Sequence, residues 1–202
     1  MEASIRKATL QDIDGIVKIH QEAFMDFFLT NLGVRFLKLY YSTFVKCNDS
    51  VVYCAVKDKT IVGFSATSYI SHGFNSKLIK HNFFKYGCEA LMLLFTQPKA
   101  VLRLIRNLNK ESKDSTITDD GLYAELYSIA IGPDCQGEGI GKLLLTVTEA
   151  DVKEHNSKIS LTTDYYDNDK TIAFYRALGY KVFYEFTTYP DRRMWRMIKE
   201  LK

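Results

Sequence analysis

The chain has 202 residues, 47% hydrophobic and 25% charged, the size and composition of one folded domain, which excludes a long disordered, collagenous or low-complexity chain. Lys and Arg number 27 against 24 Asp and Glu, and the net charge of +3 is too small to indicate nucleic acid. No apolar run reaches the roughly 18 residues of a membrane span, and the start MEASIRKATLQDIDGI carries charges where a secretory signal would be apolar, so a cytoplasmic protein is expected.

In chain order, Ser4–Thr9 alternates weakly and predicts a short strand. Asp12 is expected to cap an amphipathic helix on which Ile13, Ile16, Val17, Ile19 and His20 recur near the helical period. An apolar cluster, Phe24, Phe27, Phe28 and Leu29, precedes a second helix from about Val34 to Val45. Val51–Val56 and Ile61–Ile70 are β-rich runs on either side of Lys57-Asp58-Lys59, which predicts an antiparallel hairpin. Residues 76–113 lose the strand pattern and predict two or three helices, interrupted at Gly87 and Pro98. This segment holds eight Lys and Arg against two Glu, so it carries +6 and the rest of the chain −3. A solvated basic face, a surface for an anionic substrate and a membrane-facing surface all fit that charge.

After a polar loop at Ser112–Asp120 the chain alternates. A strand at Leu122–Ile131, a helix at Gly139–His155, a strand at Lys158–Asp164, a helix at Asn168–Leu178 and a strand at Lys181–Thr188 are expected, with a last strand from Asp191 to Ile198. The β-α-β order requires a parallel pair at the centre of the sheet, and the hairpins require antiparallel edges. The prediction is an α/β fold with a mixed, twisted sheet of six or seven strands and helices on both faces. One domain spans 1–202, with 76–113 a helical insertion before the fourth main strand.

The four cysteines, Cys47, Cys54, Cys88 and Cys135, have no C-x-x-C spacing and no neighbouring His, so reduced thiols and no metal site are expected. Cys135, beside a glycine-rich segment, is either a tolerated small residue or a reactive thiol.

The segment Glu125–Leu145 carries the chemistry. A strand ends at Gly132-Pro133, and Gln136-Gly137-Glu138-Gly139-Ile140-Gly141 leads straight into an apolar helix. Glycines at alternate positions let the backbone approach a ligand. The unpaired N–H groups and positive dipole end of the helix suit an anion such as a pyrophosphate. Neither the phosphate loop G-x-x-x-x-G-K-[ST] nor the dinucleotide pattern G-x-G-x-x-G is met. A glycine-rich turn without a ligand is the remaining alternative.

The Gln136-x-x-Gly139-x-Gly141 signature resembles the acetyl-CoA loop of the GNAT superfamily of N-acetyltransferases, whose pattern is Q/R-x-x-G-x-G/A. Downstream, Asn168 and Ala173-Phe174-Tyr175-x-x-Leu178-Gly179-Tyr180 are similar to the family's second signature. The resemblance covers about Leu122–Phe186 and extends to the two-helix, two-strand start, but not to 76–113.

It implies a GNAT-like sheet splayed at its centre and acetyl-CoA as co-substrate, with direct acetyl transfer to a primary amine in a ternary complex. It implies pyrophosphate on the backbone of Gln136, Gly137, Glu138, Gly139, Ile140, Gly141 and Lys142, and pantetheine along Ile129, Ala130 and Ile131. A bulge there would open the sheet and turn a backbone N–H toward the thioester. Asn168 would touch pantetheine or cap its helix, and Tyr175 would be the general acid. Glu125 has the strand position of the family's catalytic Glu in the histone branch. It is either the base or a strand-end carboxylate in a surface pair. Strict alternation would put Glu125, Tyr127, Ile129 and Ile131 on one face.

The acceptor is expected against the first helices, the insertion and the C-terminal strands, with Phe27, Phe28, His72, His81 and Tyr189 as candidates. The early apolar segment resembles bacterial members associated with sugar metabolism, which makes an amino sugar or another small metabolite the acceptor class. A catalytically silent acetyl-CoA-binding module stays open. So does a membrane-surface adaptor acting through Lys99, Arg103 and Arg106. A homodimer is left open; nucleic acid and a transmembrane segment are not expected.

Overall fold

The computed structural model describes residues 2–25, 27–98, 119–166, 168–188 and 191–202. Among these residues the elements are β1 (Ser4–Lys7), α1 (Ile13–Ala23), α2 (Phe28–Asn31), α3 (Val34–Lys46), β2 (Ser50–Lys57), β3 (Thr60–Ser68), α4 (Phe74–His81), α5 (Phe83–Thr96), β4 (Ala124–Ile131), α6 (Ile140–Lys153), β5 (Lys158–Asp164), α7 (Asp169–Ala177), β6 (Lys181–Thr188) and β7 (Arg192–Glu200). The seven strands form one sheet in the order β1-β2-β3-β4-β5-β7-β6. Only β4 and β5 pair in parallel. β7 enters antiparallel between β5 and β6, so the second β-α-β unit does not give a second parallel pair.

Helices cover both faces. Ile16 and Val17 of α1 and Leu37, Tyr41 and Phe44 of α3 pack with Val52, Cys54, Phe64 and Ala130 on one face. Leu144 and Leu145 of α6 and Tyr175 of α7 pack with Val51, Tyr53, Leu126, Ile159 and Leu161 on the other. The opposite assignment of Val51/Tyr53 and Val52/Cys54 is the period-2 alternation of a strand buried on both sides. The β2–β3 hairpin closes with Lys57 opposite Thr60. Its two turn residues, Asp58 and Lys59, have φ of 51° and 65°, as the tight turn that matches strand twist requires.

Asp12 departs from its expected role. Its side chain makes no capping bond to α1 and reaches back instead. It accepts from the Thr9 N–H at 2.7 Å and from two Arg6 guanidinium nitrogens at 2.7 Å each. The Arg6 bonds hold its carboxyl well below the usual range. Asp12→Ala should therefore cost about 1–2 kcal/mol in urea unfolding at pH 7. Since the folded-state pKa is depressed, this contribution is present above about pH 4 and is lost as pH falls further.

The insertion is helical where it is described, but Gly87 does not interrupt it. The break falls at Asn82, between α4 and α5, and α5 runs through Gly87. The break expected at Pro98 adjoins residues 99–118, and the helical structure expected over 99–113 lies outside the described residues.

The feature that positions the site is an irregularity in β4. Leu126 pairs with Thr67 and Ser128 with Ala66, which leaves Tyr127 as the extra residue of a β-bulge. Leu126 packs on the α6 face. Tyr127 packs on the other, 5.4 Å from both Phe44 and Phe74. Instead of alternating back, Ser128 also serves that face, where Tyr41 donates to its Oγ at 3.2 Å. Glu125 and Tyr127 are therefore out of register with Ile129 and Ile131, which join the α6 side, and strict alternation along β4 fails. The β4–β5 ladder runs from Ala124–Ile159 to Leu126–Leu161 and stops. Beyond it the strands part, and the β4 edge that would have paired with β5 is left open.

Candidate active site

Past Ile131 the chain turns through Gly132 and a single 3-10 turn, Pro133–Cys135, into the loop that starts α6. Gly137 and Gly139 have φ of +82° and +80°, a left-handed conformation that costs a residue with a Cβ about 1–2 kcal/mol. Gly141 is different. It is helical, and a Cβ there would lie 3.7 Å from Ile131 Cγ1 and 3.9 Å from Phe174 Cζ, ordinary contact distances. The fold alone does not require glycine at 141. Among the described residues, the N–H groups of 137–142 meet no acceptor. These donors at a helix start, with its dipole behind them, form an anion cradle. Lys57 braces the loop by donating to Glu138 at 2.7 Å, and Gln136 Nε2 donates to the Ile131 carbonyl at 3.3 Å.

The cradle opens into a cleft of 850 Å³ that follows the parting of β4 and β5. Gln136, Gly137 and Gly141 stand at one end. Leu126–Ile131 and Leu161–Asp164 form the two flanks. His20, Phe24, Phe27 and Phe28 line the far side, from the face covered by α1. The cleft thus reaches from one face of the sheet to the other.

Tyr175 and Asn168 line it. Tyr175 is held by Phe174 and Tyr180, with ring centroids 5.3 and 5.5 Å away. Burial pushes its phenol pKa up, and its hydroxyl has no partner among the described residues. It is a protonated donor with nothing yet to donate to. Asn168 stands at the N-cap of α7 but makes no side-chain cap bond. Its Nδ2 donates to Thr163 Oγ1 at 2.5 Å instead, so the expected cap is not formed.

Glu125 is placed differently from Tyr175. It is not among the cleft walls. One carboxylate oxygen accepts from Arg196 Nη1 at 2.5 Å and the other from Ser71 Oγ at 2.7 Å. Arg196 also donates to Ser160 Oγ at 3.2 Å and to Tyr184 Oη at 3.4 Å. Both members of the pair are largely buried, with side chains 9% and 13% exposed, so Glu125 neutralises a buried guanidinium. Cys135 is half-buried and also not among the walls.

Of the acceptor candidates, Phe27 and Phe28 line the cleft, whereas His72 and His81 do not. His72 lies beside Gly121, and His81 ends α4. Tyr189, Lys99, Arg103 and Arg106 lie outside the described residues. In the described part of the insertion, Phe84 and Phe95 are 85% and 83% exposed. No described helix is long and apolar enough to cross a membrane. Among the described residues no three His, Cys, Asp or Glu side chains gather as metal ligands.

Several wall residues carried no functional signal in the sequence. Asp164 and Arg192 form an ion pair at the cleft, and the Arg192 guanidinium lies 4.5 Å over the Phe27 ring. Asp164 and Arg192 lie 28 residues apart in the chain, and no spacing pattern links them. His20, on the buried stripe of α1, also lines the cleft. Its only hint was a polar residue in an otherwise apolar helical face.

The family model described as "Acetyltransferase (GNAT) family" matches residues 15–180. Among solved structures, the chain resembles the "histone acetyltransferase HPA2 and related acetyltransferase" from Corynebacterium glutamicum at 16% identity and a TM-score of 0.65, covering 100% of this chain and 98% of that one. An N-acetyltransferase from Staphylococcus aureus Mu50 gives 13% identity and 0.64, with 100% of both chains covered. The PaiA N-acetyltransferase from Thermoplasma acidophilum, solved with coenzyme A, gives 17% and 0.60, with 99% of both covered. No curated protein sequence matches the chain. At these identities the structures speak for the fold. The family model spans most of the sequence, bulged strand, glycine loop and Tyr175 included, and so the chain belongs to the GNAT family of acetyltransferases.

Proposed function

We propose that the cleft binds acetyl-CoA and moves its acetyl group directly to a primary amine. The observation that carries this reading is the continuity of the cleft. It runs from the free N–H groups of 137–142 along the unpaired β4 edge to the hydroxyl of Tyr175. The pyrophosphate takes the N–H groups, as anions do at helix starts. The pantetheine arm lies along Ile129–Ile131 in place of the lost β5 ladder. A backbone N–H released at the bulge is the donor for the thioester oxygen, as stabilisation of a developing oxyanion requires. The acceptor enters from the far side, past Phe24 and Phe27. Coenzyme A in the Thermoplasma relative supports the donor.

The chemistry needs three things from the chain. The thioester must be fixed with its carbonyl polarised, the amine must lose a proton, and the leaving thiolate must gain one. Tyr175 supplies the last. Glu125 fits an anchoring role, because both its oxygens are bound and its charge balances Arg196. Glu125→Gln should lower stability by about 1–2 kcal/mol, through the weakened bond to a charged partner, with melting temperature as the readout. It should leave the shape of the pH–rate profile unchanged. Loss of the limb that rises from low pH, with unchanged stability, would return Glu125 to the role of base.

A small-metabolite acceptor, an amino sugar among them, suits a cleft with aromatic walls and the Asp164–Arg192 pair at its edge. The test is thiol release from acetyl-CoA in the presence of amino acids, polyamines, amino sugars, peptides and aminoglycosides. Release with one class, with the acetylated amine detected by mass, is the expected result. Binding of acetyl-CoA without release for any class would favour a silent acetyl-CoA-binding module.

A further inference from the structure

His20 is buried, with 2% of its surface exposed, yet it lines the cleft on the acceptor side. Its Nδ1 lies 2.7 Å from Tyr41 Oη, and Tyr41 in turn donates to Ser128 Oγ at 3.2 Å. Its Nε2 is buried and, among the described residues, has no hydrogen-bond partner. An unpartnered buried polar atom costs about 1–3 kcal/mol, and in a cleft wall that cost is recovered when a ligand supplies the missing bond.

The chain of hydrogen bonds points to one tautomer. With the single Tyr41 hydroxyl proton on Ser128, the Tyr41 oxygen accepts from His20. That arrangement puts the imidazole proton on Nδ1 and the lone pair on Nε2. The ring neighbours are Phe24, Tyr41 and Phe64, none charged at neutral pH. Burial holds the imidazole pKa down to about 4, so the neutral ring is the form present. The Tyr41–Ser128 arm ties His20 to the residue that follows the bulge, where the thioester is to lie.

We propose that the Nε2 lone pair of His20 receives the proton of the acceptor nitrogen as that nitrogen attacks the thioester. This rests on the acetyl-transfer reading of the cleft. The nitrogen arrives as a neutral amine and bonds to the carbonyl carbon, which makes its proton acidic. The proton passes to Nε2, and the imidazolium formed is steadied by Tyr41 Oη on Nδ1–H. The C–S bond breaks, and the sulfur takes the Tyr175 proton. One proton then returns through solvent from His20 to Tyr175, so the enzyme ends as it began.

The chain has four histidines, so ¹⁵N-histidine labelling gives a readable spectrum. The His20 signal should be the Nδ1–H tautomer with Nε2 bare, and Tyr41→Phe, which removes the partner of Nδ1, should shift it. An Nε2–H tautomer in the wild type would overturn the proposal with no variant needed. The second arm is His20→Asn, whose amide occupies the place of Nδ1 and leaves nothing at Nε2. With a pool of amino acids, polyamines and amino sugars as acceptors, its thiol release should fall about 100-fold, the lower bound for a lost general base, at unchanged acetyl-CoA affinity. Release within about threefold of wild type would overturn it. If wild type itself bound no acetyl-CoA, the reading of the cleft would fail, a result separate from either outcome for His20.

Discussion

Gly141→Val should abolish acetyl-CoA binding while leaving the fold intact. The position is helical and its Cβ would meet only Ile131 and Phe174 at ordinary contact distances, so the protein itself has room for the first carbon. That carbon and the two methyls beyond it stand at the cleft wall beside the N–H cradle. A branched side chain there competes for the space of the pyrophosphate or the first pantetheine atoms. We expect affinity to fall more than about 100-fold, or about 2.7 kcal/mol, with melting temperature within a few degrees of wild type. Gly139→Val is the contrasting variant. Its φ of +80° makes any side chain strained by about 1–2 kcal/mol, so it should lose both stability and affinity. Calorimetric titration of the two proteins separates space from strain. Normal binding by Gly141→Val would show that the ligand lies elsewhere.

Tyr175→Phe should lower turnover about 10- to 100-fold with acetyl-CoA affinity nearly unchanged. Phe keeps the ring contacts to Phe174 and Tyr180 and removes only the hydroxyl. That hydroxyl has no partner among the described residues, so its loss breaks no bond in the free protein. The leaving thiol has a pKa of about 8–9, near that of free cysteine, and a thiolate of that kind departs fairly well unaided. The acid therefore contributes only the low end of the usual 10²–10⁴, about 1.4–2.7 kcal/mol of barrier. Cys135→Ser should change turnover little, because Cys135 is not a cleft wall. Wild-type turnover in Tyr175→Phe, together with an inactive Cys135→Ser and acetylated enzyme that accumulates in the wild type, would remove the direct-transfer scheme.

The features legible in the sequence were the local ones. The Lys57–Thr60 hairpin lies between two β-branched runs, and its turn needs only two residues. The glycine loop and the Tyr175 helix are contiguous motifs, and each names its own element. The bulge is expected along Ile129–Ile131, and the structure has it earlier in the strand, at Tyr127. ELYSIAI is apolar on both sides of the alternation, so a one-residue slip leaves no mark. Only the pairing of Ser128 with Ala66 and Leu126 with Thr67 reveals it.

Glu125 read as a candidate base because the strand position was visible and its partner was not. Arg196 is 71 residues away, brought beside β5 by the insertion of β7 into the sheet. His20 was hidden for a related reason. On α1 its spacing is that of a core residue. Only tertiary contact shows one ring nitrogen bonded and the other bare. Gly87 misled in the opposite sense, since a single glycine costs a helix only about 1 kcal/mol and α5 continues through it.

In the proposed complex acetyl-CoA lies between the glycine loop and the open edge of β4. Amide NMR of the ¹⁵N-labelled chain during an acetyl-CoA titration tests it most directly. Saturable shifts are expected at 136–142 and 129–131, with the amides of Gly137, Gly139 and Gly141 moving as their free N–H groups gain an acceptor. Saturable binding whose shifts fall elsewhere, with those three glycines unmoved, would contradict it.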